Sequence, residues 1–160
     1  MLHIKLIAVG KCRESYYAAA CREYQKRMGR FAKLSVIEVP DERAPDSLSP
    51  AQQEQVRRAE GERILAKIAP EERVVALCID GKRHDSLGWA AHWCEQMNRG
   101  AGKWCFVIGG SLGLSQEVRK RADEKLSFSD FTFCHQLMRV VLLEQIYRAM
   151  KILNAEAYHK

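Results

Sequence analysis

Five histidines are the chain's candidates for moving protons near neutral pH: His3, His84, His92, His135 and His159. Two stand out by position. His135 comes just before a long apolar helical run, and His159 sits in a polar tail beside Tyr158. Neither belongs to a Ser/His/Asp or Cys/His arrangement that spacing alone would define. The six cysteines (Cys12, Cys21, Cys78, Cys94, Cys105, Cys134) contain no CxxC pair, so neither a zinc nor a redox spacing is present. The run Val107-Ile108-Gly109-Gly110-Ser111-Leu112-Gly113-Leu114-Ser115 has glycines that let backbone approach a ligand closely. Its Ser115 opens a helix whose amino end would favour negative charge. The same run also reads as an ordinary glycine-rich turn. Val9-Gly10-Lys11-Cys12-Arg13 lacks the GxGxxG fingerprint and no P-loop occurs, which disfavours a standard dinucleotide or nucleotide fold.

The elements that must position these groups alternate in type. Strand-like runs fall at His3 to Val9, Leu34 to Val39, Arg73 to Asp80, Lys103 to Ile108 and, in part, Leu126 to Phe133. Helical patterns fall at Glu14 to Met28, Pro50 to about Ile68, Leu87 to Arg99, Gln116 to Ala122 and Gln136 to Leu153. Ser49, Ser86 and Ser115 are the expected amino-terminal caps of helices two, three and four. The order predicts a single α/β domain over residues 1–160, with a mainly parallel sheet flanked by helices. Ligands of such sheets bind at the carboxyl ends of the strands. That directs attention to Gly10, Asp80-Gly81 and Gly109-Gly110.

With 160 residues, 47% hydrophobic and 29% charged, the chain is neither disordered nor fibrous. Lys and Arg number 26 against 20 Asp and Glu, a net charge of +6 that is compatible with a nucleic-acid partner. Loose basic groups are Arg22, Lys26, Arg27, Arg30 and Lys33; Arg57, Arg58, Arg63 and Lys67; and Arg119, Lys120 and Arg121. They read either as solvated faces or as a surface that tracks phosphates. No apolar stretch approaches the ~18 residues of a membrane helix. Met1-Leu2-His3 opens directly into a strand-like run, so reduced thiols and a cytoplasmic setting are expected. The last helix is apolar around most of its perimeter, which predicts either a helix central in its own chain or, as the favoured reading, a second partner and hence a homodimer interface.

Several motifs recur in a specific order. They are Lys5-Leu6-Ile7-Ala8-Val9-Gly10-Lys11 and Val107-Ile108-Gly109-Gly110 with Gly113-Leu114-Ser115. Leu126-Ser127-Phe128, His135 with Arg139-Val140, Glu144-Gln145-Ile146-Tyr147-Arg148-Ala149 and Tyr158-His159 follow. Together, over essentially the whole chain, they closely resemble the ribosomal RNA large subunit methyltransferase H (RlmH) family of the SPOUT class.

That resemblance implies an α/β knot with a C-terminal trefoil, a homodimer, and S-adenosyl-L-methionine as cofactor. The implied reaction is methylation of N3 of a pseudouridine in 23S rRNA within the assembled ribosome, with no metal. It places cofactor contacts at Leu77, at Gly109 and along Phe128, Ser129, Asp130, Phe131, Thr132 and Phe133. It places His135, Arg139, Tyr158 and His159 near the methyl group and the RNA. His159 is the first choice of base, His135 the second, and Arg139 a stabiliser of developing charge. Three departures from the family pattern are visible: Ser111-Leu112 where proline and an acid are common, Cys134-His135-Gln136 in place of Pro-His-Pro, and Ala157-Tyr158-His159-Lys160 in place of Pro-Tyr-His-Arg. The lost prolines leave loop and tail less pre-set, and Lys160 lacks arginine's bidentate fork. Two rival readings are a Rossmann-type enzyme and a non-enzymatic RNA- or ribosome-binding module; cofactor binding separates the latter from a methyltransferase.

Overall fold

The computed structural model describes residues 1–160. The elements follow the expected order: β1 (Leu2–Val9), α1 (Ser15–Met28), β2 (Ala32–Val39), α2 (Pro50–Leu65), β3 (Arg73–Arg83), α3 (Ser86–Asn98), β4 (Lys103–Ile108), α4 (Gln116–Arg121), β5 (Glu124–Ser127) and α5 (His135–Leu153). Every strand pairing is parallel, in the order β2-β1-β4-β3-β5. This is not the 3-2-1-4-5-6 order of the dinucleotide-binding fold.

Side-chain alternation divides the core between the two faces of the sheet. Ile4, Leu6 and Ala8 of β1, with Trp104, Phe106 and Ile108 of β4, pack against α1, α3 and α5. Ile7 and Val9, with Cys105 and Val107, face α2 and α4. Helix α5 is the middle helix of its layer, flanked by α1 and α3. Its buried residues, Leu142, Leu143, Ile146, Ala149 and Met150 among them, lie in the chain's own core. The wide apolar perimeter therefore has neighbours on both sides within one chain. The opposite face, with Leu137 and Val141, is half-buried.

Several boundaries differ from the sequence reading, each for a local reason. Helix α3 is capped by Asp85 rather than Ser86: the Asp85 carboxylate accepts from Gly88 N at 2.6 Å, while Ser86 Oγ hydrogen-bonds Gln145. Helix α2 ends at Leu65, with single-turn bonds carrying the chain on to Ile68. Strand β3 extends to Arg83 through a bulge, with Leu77 and Lys82 both registered on Leu126. Gly81 permits this, because a Cβ there would lie 2.7 Å from the Lys125 and Leu126 backbone. Strand β5 starts at Glu124 and stops at Ser127. Beyond it, Ser127 Oγ donates to Ser129 O and Ser129 Oγ accepts from Phe131 N, a local pattern that competes with the ladder.

Candidate functional site

The carboxyl ends of β3, β4 and β5 open into a cleft of about 440 Å³. That size suits a small-molecule site. Leu77, Cys78 and Ile79 form one side, Ile108 to Ser111 with Gly113 and Leu114 another, and Leu126 to Ser129 with Phe131 to His135 a third; Met138 of α5 closes it. No Asp, Glu, Lys or Arg side chain lines it. It is a largely apolar slot with backbone, the hydroxyls of Ser111, Ser127, Ser129 and Thr132, two thiols and one imidazole.

The glycine wall is shaped by its own backbone. Gly113 has φ +82° and donates to Gly110 O at 3.1 Å, closing a tight turn. A Cβ at Gly109 would lie 3.0 Å from the Gly113 carbonyl carbon and from Leu114 Cδ2, so a side chain there would press on the turn and shift it locally. Ser115 caps α4 through Val118 N, yet it is buried, and a Cβ on Gly61 of α2 would collide with its Oγ. It does not line the cleft, so the anion-binding use expected of this helix end has no support here.

Of the residues singled out by sequence, Leu77, Gly109, Phe128, Ser129, Phe131, Thr132, Phe133 and His135 meet in this cleft. Phe131 is 78% exposed and stands at the mouth. Asp130 turns outward to an ion pair with Arg83.

His135 opens α5. Its Nδ1 is buried without a partner, and its ring lies beside Gly10 and Asp41. Burial, with Arg139 nearby, lowers its pKa from the ordinary imidazole value and keeps the ring neutral near pH 7. Arg139, one turn further along, is buried, with Nη2 donating to Gly10 O at 2.7 Å and Nη1 to Glu38 Oε2 at 2.9 Å.

The tail lies elsewhere. Tyr158 donates to Glu144 Oε1 at 3.1 Å and packs edge-on against Tyr147. Burial and the Glu144 carboxylate push its phenol up to about 12, which makes it a donor rather than a base. His159 is exposed, with Nδ1 3.3 Å from Arg148 Nη1. These partners sit far along α5 from His135, so the tail does not reach the cleft of its own chain.

The basic groups are largely engaged. Every arginine among them except Arg22 makes an ion pair, for instance Arg58 with Glu117, Arg63 with Glu42 and Arg119 with Asp80. Lys11 and Arg13, exposed in the β1–α1 loop on the His135 side, have no ion-pair partner. Sequence reasoning missed Glu60, a buried glutamate directly behind Gly110. The one signal it left is Gly61 beside it, since a glycine inside a helix costs stability and marks close packing.

Two solved structures share this fold. A probable methyltransferase from Bordetella pertussis Tohama I is 16% identical, with a TM-score of 0.57, over 93% of this chain and 95% of its own. A probable methylase family protein from Haemophilus influenzae Rd KW20 is also 16% identical, with a TM-score of 0.52, over 99% of this chain and 70% of its own. The family model described as "Predicted SPOUT methyltransferase" matches residues 2–159. With that match along nearly its whole length, and a small-molecule cleft at the carboxyl ends of a parallel sheet, the chain belongs to the SPOUT methyltransferase family.

Proposed function

We propose that the protein methylates N3 of a pseudouridine in 23S rRNA of the assembled ribosome, as a homodimer that binds S-adenosyl-L-methionine in the cleft. The observation that carries the reading is the convergence of Leu77, Gly109 and the Phe128–Phe133 segment on one apolar cleft with His135 at its edge. The donor set fits such a cofactor: apolar walls for a flat ring, a glycine turn that brings backbone close, and hydroxyls for its polar groups. When bound, S-adenosyl-L-methionine supplies a methyl group on an electrophilic sulfonium carbon. The trefoil knot of the SPOUT class belongs to the same reading. The return of the chain from Ser127 past the Gly109–Gly113 turn to His135, beside Gly10, supports it.

The chain's own residues then do three things. Leu77, Ile108 and Phe128 line the inner part of the cleft and keep water from the reacting end. An imidazole takes the N3 proton as the new bond to carbon forms; His159 is the first choice and His135 the second. Arg139, with both terminal nitrogens engaged, holds His135 in place through Gly10 and Glu38. Because Tyr158 and His159 are anchored on the far part of α5, the tail serves the cleft of a second copy, brought there by pairing through the Leu137–Val141 face. For His159 Nδ1 to accept a proton, its long contact with Arg148 is exchanged for the substrate. Incubating purified 70S ribosomes lacking the modification with the protein and methyl-labelled cofactor, then analysing the nucleosides by mass spectrometry, tests this. Labelled N3-methylpseudouridine from ribosomes supports it, and label on another nucleoside, or none, contradicts it.

A further inference from the structure

On the cofactor reading above, the cleft takes a ligand that is cationic before the reaction and less so after it, yet no Asp, Glu, Lys or Arg side chain lines its walls. Two of the carboxylates near the lining are neutralised, Asp80 by Arg119 and Asp130 by Arg83, while Asp41 stands beside His135 at the edge without an ion pair. Glu60 of α2 is different. It is 4% exposed and has no salt-bridge partner; Arg63, on the same helix, is engaged by Pro40 O and Glu42. Glu60 Oε2 accepts from Glu42 N at 3.0 Å, and Oε1 is buried with no hydrogen-bond partner. Both oxygens press on the cleft wall: a Cβ added to Gly110 would lie 2.9 Å from Oε1 and 3.1 Å from Oε2. Gly110 is thus the thin partition between this carboxyl group and the cleft. Asp41 adds like charge from the β2–α2 loop.

We infer that Glu60 behind Gly110, in its carboxylate form, is a specificity-determining residue that makes the cleft prefer a cationic sulfonium ligand over the uncharged thioether left after methyl transfer. A buried charge acts through low-dielectric protein, so salt screens it little and its field enters the cleft. Methyl transfer breaks the sulfur–methyl bond and returns its electron pair to sulfur, so the sulfonium charge disappears. The attraction from Glu60 then disappears with it, which favours release of the product. Burial raises the carboxyl's pKa and the Glu42 N–H opposes that rise, so the preference is read on the alkaline side.

The inference rests on the cofactor reading above, and one experiment separates the two. Calorimetry at about pH 8 measures S-adenosyl-L-methionine and S-adenosyl-L-homocysteine on the native protein, Glu60→Gln and Glu60→Asp. The native protein should prefer the sulfonium. Glu60→Gln keeps an acceptor for Glu42 N but removes the charge; it should bind the sulfonium about tenfold more weakly, with thioether affinity unchanged. Glu60→Asp keeps the charge and should retain the preference. Equal weakening of both ligands in Glu60→Gln would make Glu60 merely a packing residue and overturn the inference while leaving the cofactor reading intact. Should the glutamine variant fail to fold, a native protein that binds the thioether as tightly as the sulfonium overturns it without any variant. Binding of neither ligand by the native protein removes the cofactor reading and this inference together.

Discussion

Arg139 Nη2 donates to the Gly10 carbonyl across 2.7 Å and so ties the start of α5 to the carboxyl end of β1. The same guanidinium reaches Glu38 Oε2, which also accepts from Cys12 N at 2.8 Å. One side chain thereby registers α5, β1, β2 and the β1–α1 loop against each other. His135, one turn earlier, takes its place from that registration. Arg139→Ala leaves the Gly10 carbonyl without this donor and should cost about 1–3 kcal/mol in chemical denaturation. Arg139→Lys should recover part of it, because one ammonium cannot span both acceptors. Native stability in the alanine variant would free Arg139 for a direct role at the substrate.

The anchoring of Tyr158 on Glu144 sets up a second expectation. Glu144 lies nine residues beyond His135, about 14 Å along the helix axis. If the tail acts on a second copy, His159→Ala and Gly109→Val should each abolish most methylation alone, by ~10²–10⁴-fold for the lost base. Mixed and re-equilibrated, the two inactive variants should regain activity. The Gly109→Val chain then lends its intact tail to the intact cleft of the His159→Ala chain. No recovery on mixing would place tail and cleft in the same chain.

Leu142 and Leu143 are buried in the chain's own core, so an acidic residue there would unfold the protein rather than report on pairing. Val141, half-buried on the opposite face, is the informative position. Val141→Glu should convert a dimer to a monomer in light scattering while leaving the melting temperature within a few degrees. A monomeric native protein would contradict the expected interface.

His135 links the cleft to pH. Its folded pKa lies below the unfolded value near 6.5, so as pH falls the unfolded chain takes up the proton first. Its contribution to stability is full above that value and declines below it. His84, also lowered chiefly by burial, acts in the same direction. His135→Asn should therefore lessen, without removing, the loss of melting temperature between about pH 7.5 and 5.5. An unchanged slope would mean that His135 titrates as an ordinary surface imidazole.

Much of the scaffold was legible because it depends on local pattern. The apolar runs Arg73 to Asp80 and Lys103 to Ile108 announce covered strands, and Ser49-Pro50 announces a helix start whose capping box is present. The cap of α3 falls on Asp85, one residue before Ser86, because both suit the position by type and the tertiary bond from Ser86 to Gln145 decides between them. Strand β5 stops short of the apolar run's end because two serine side chains compete with the ladder. Glu60 behind Gly110 and Asp41 beside His135 were invisible for a different reason. Their meeting depends on which strands become neighbours, and a glutamate in a charge-rich helix carries no mark of burial.

The central claim is that the cleft between Leu77, Gly109 and the Phe128–Phe133 segment binds S-adenosyl-L-methionine. Calorimetric titration of the native protein and of Gly109→Val tests it most directly. A branched side chain at Gly109 would press on the Gly113 backbone and Leu114, deforming the turn locally at the rim of the fold. One cofactor should bind per native chain, and the variant, with native-like circular dichroism, should show no measurable binding. A native protein that does not bind the cofactor, or a Gly109→Val protein that binds it with native affinity, would contradict it.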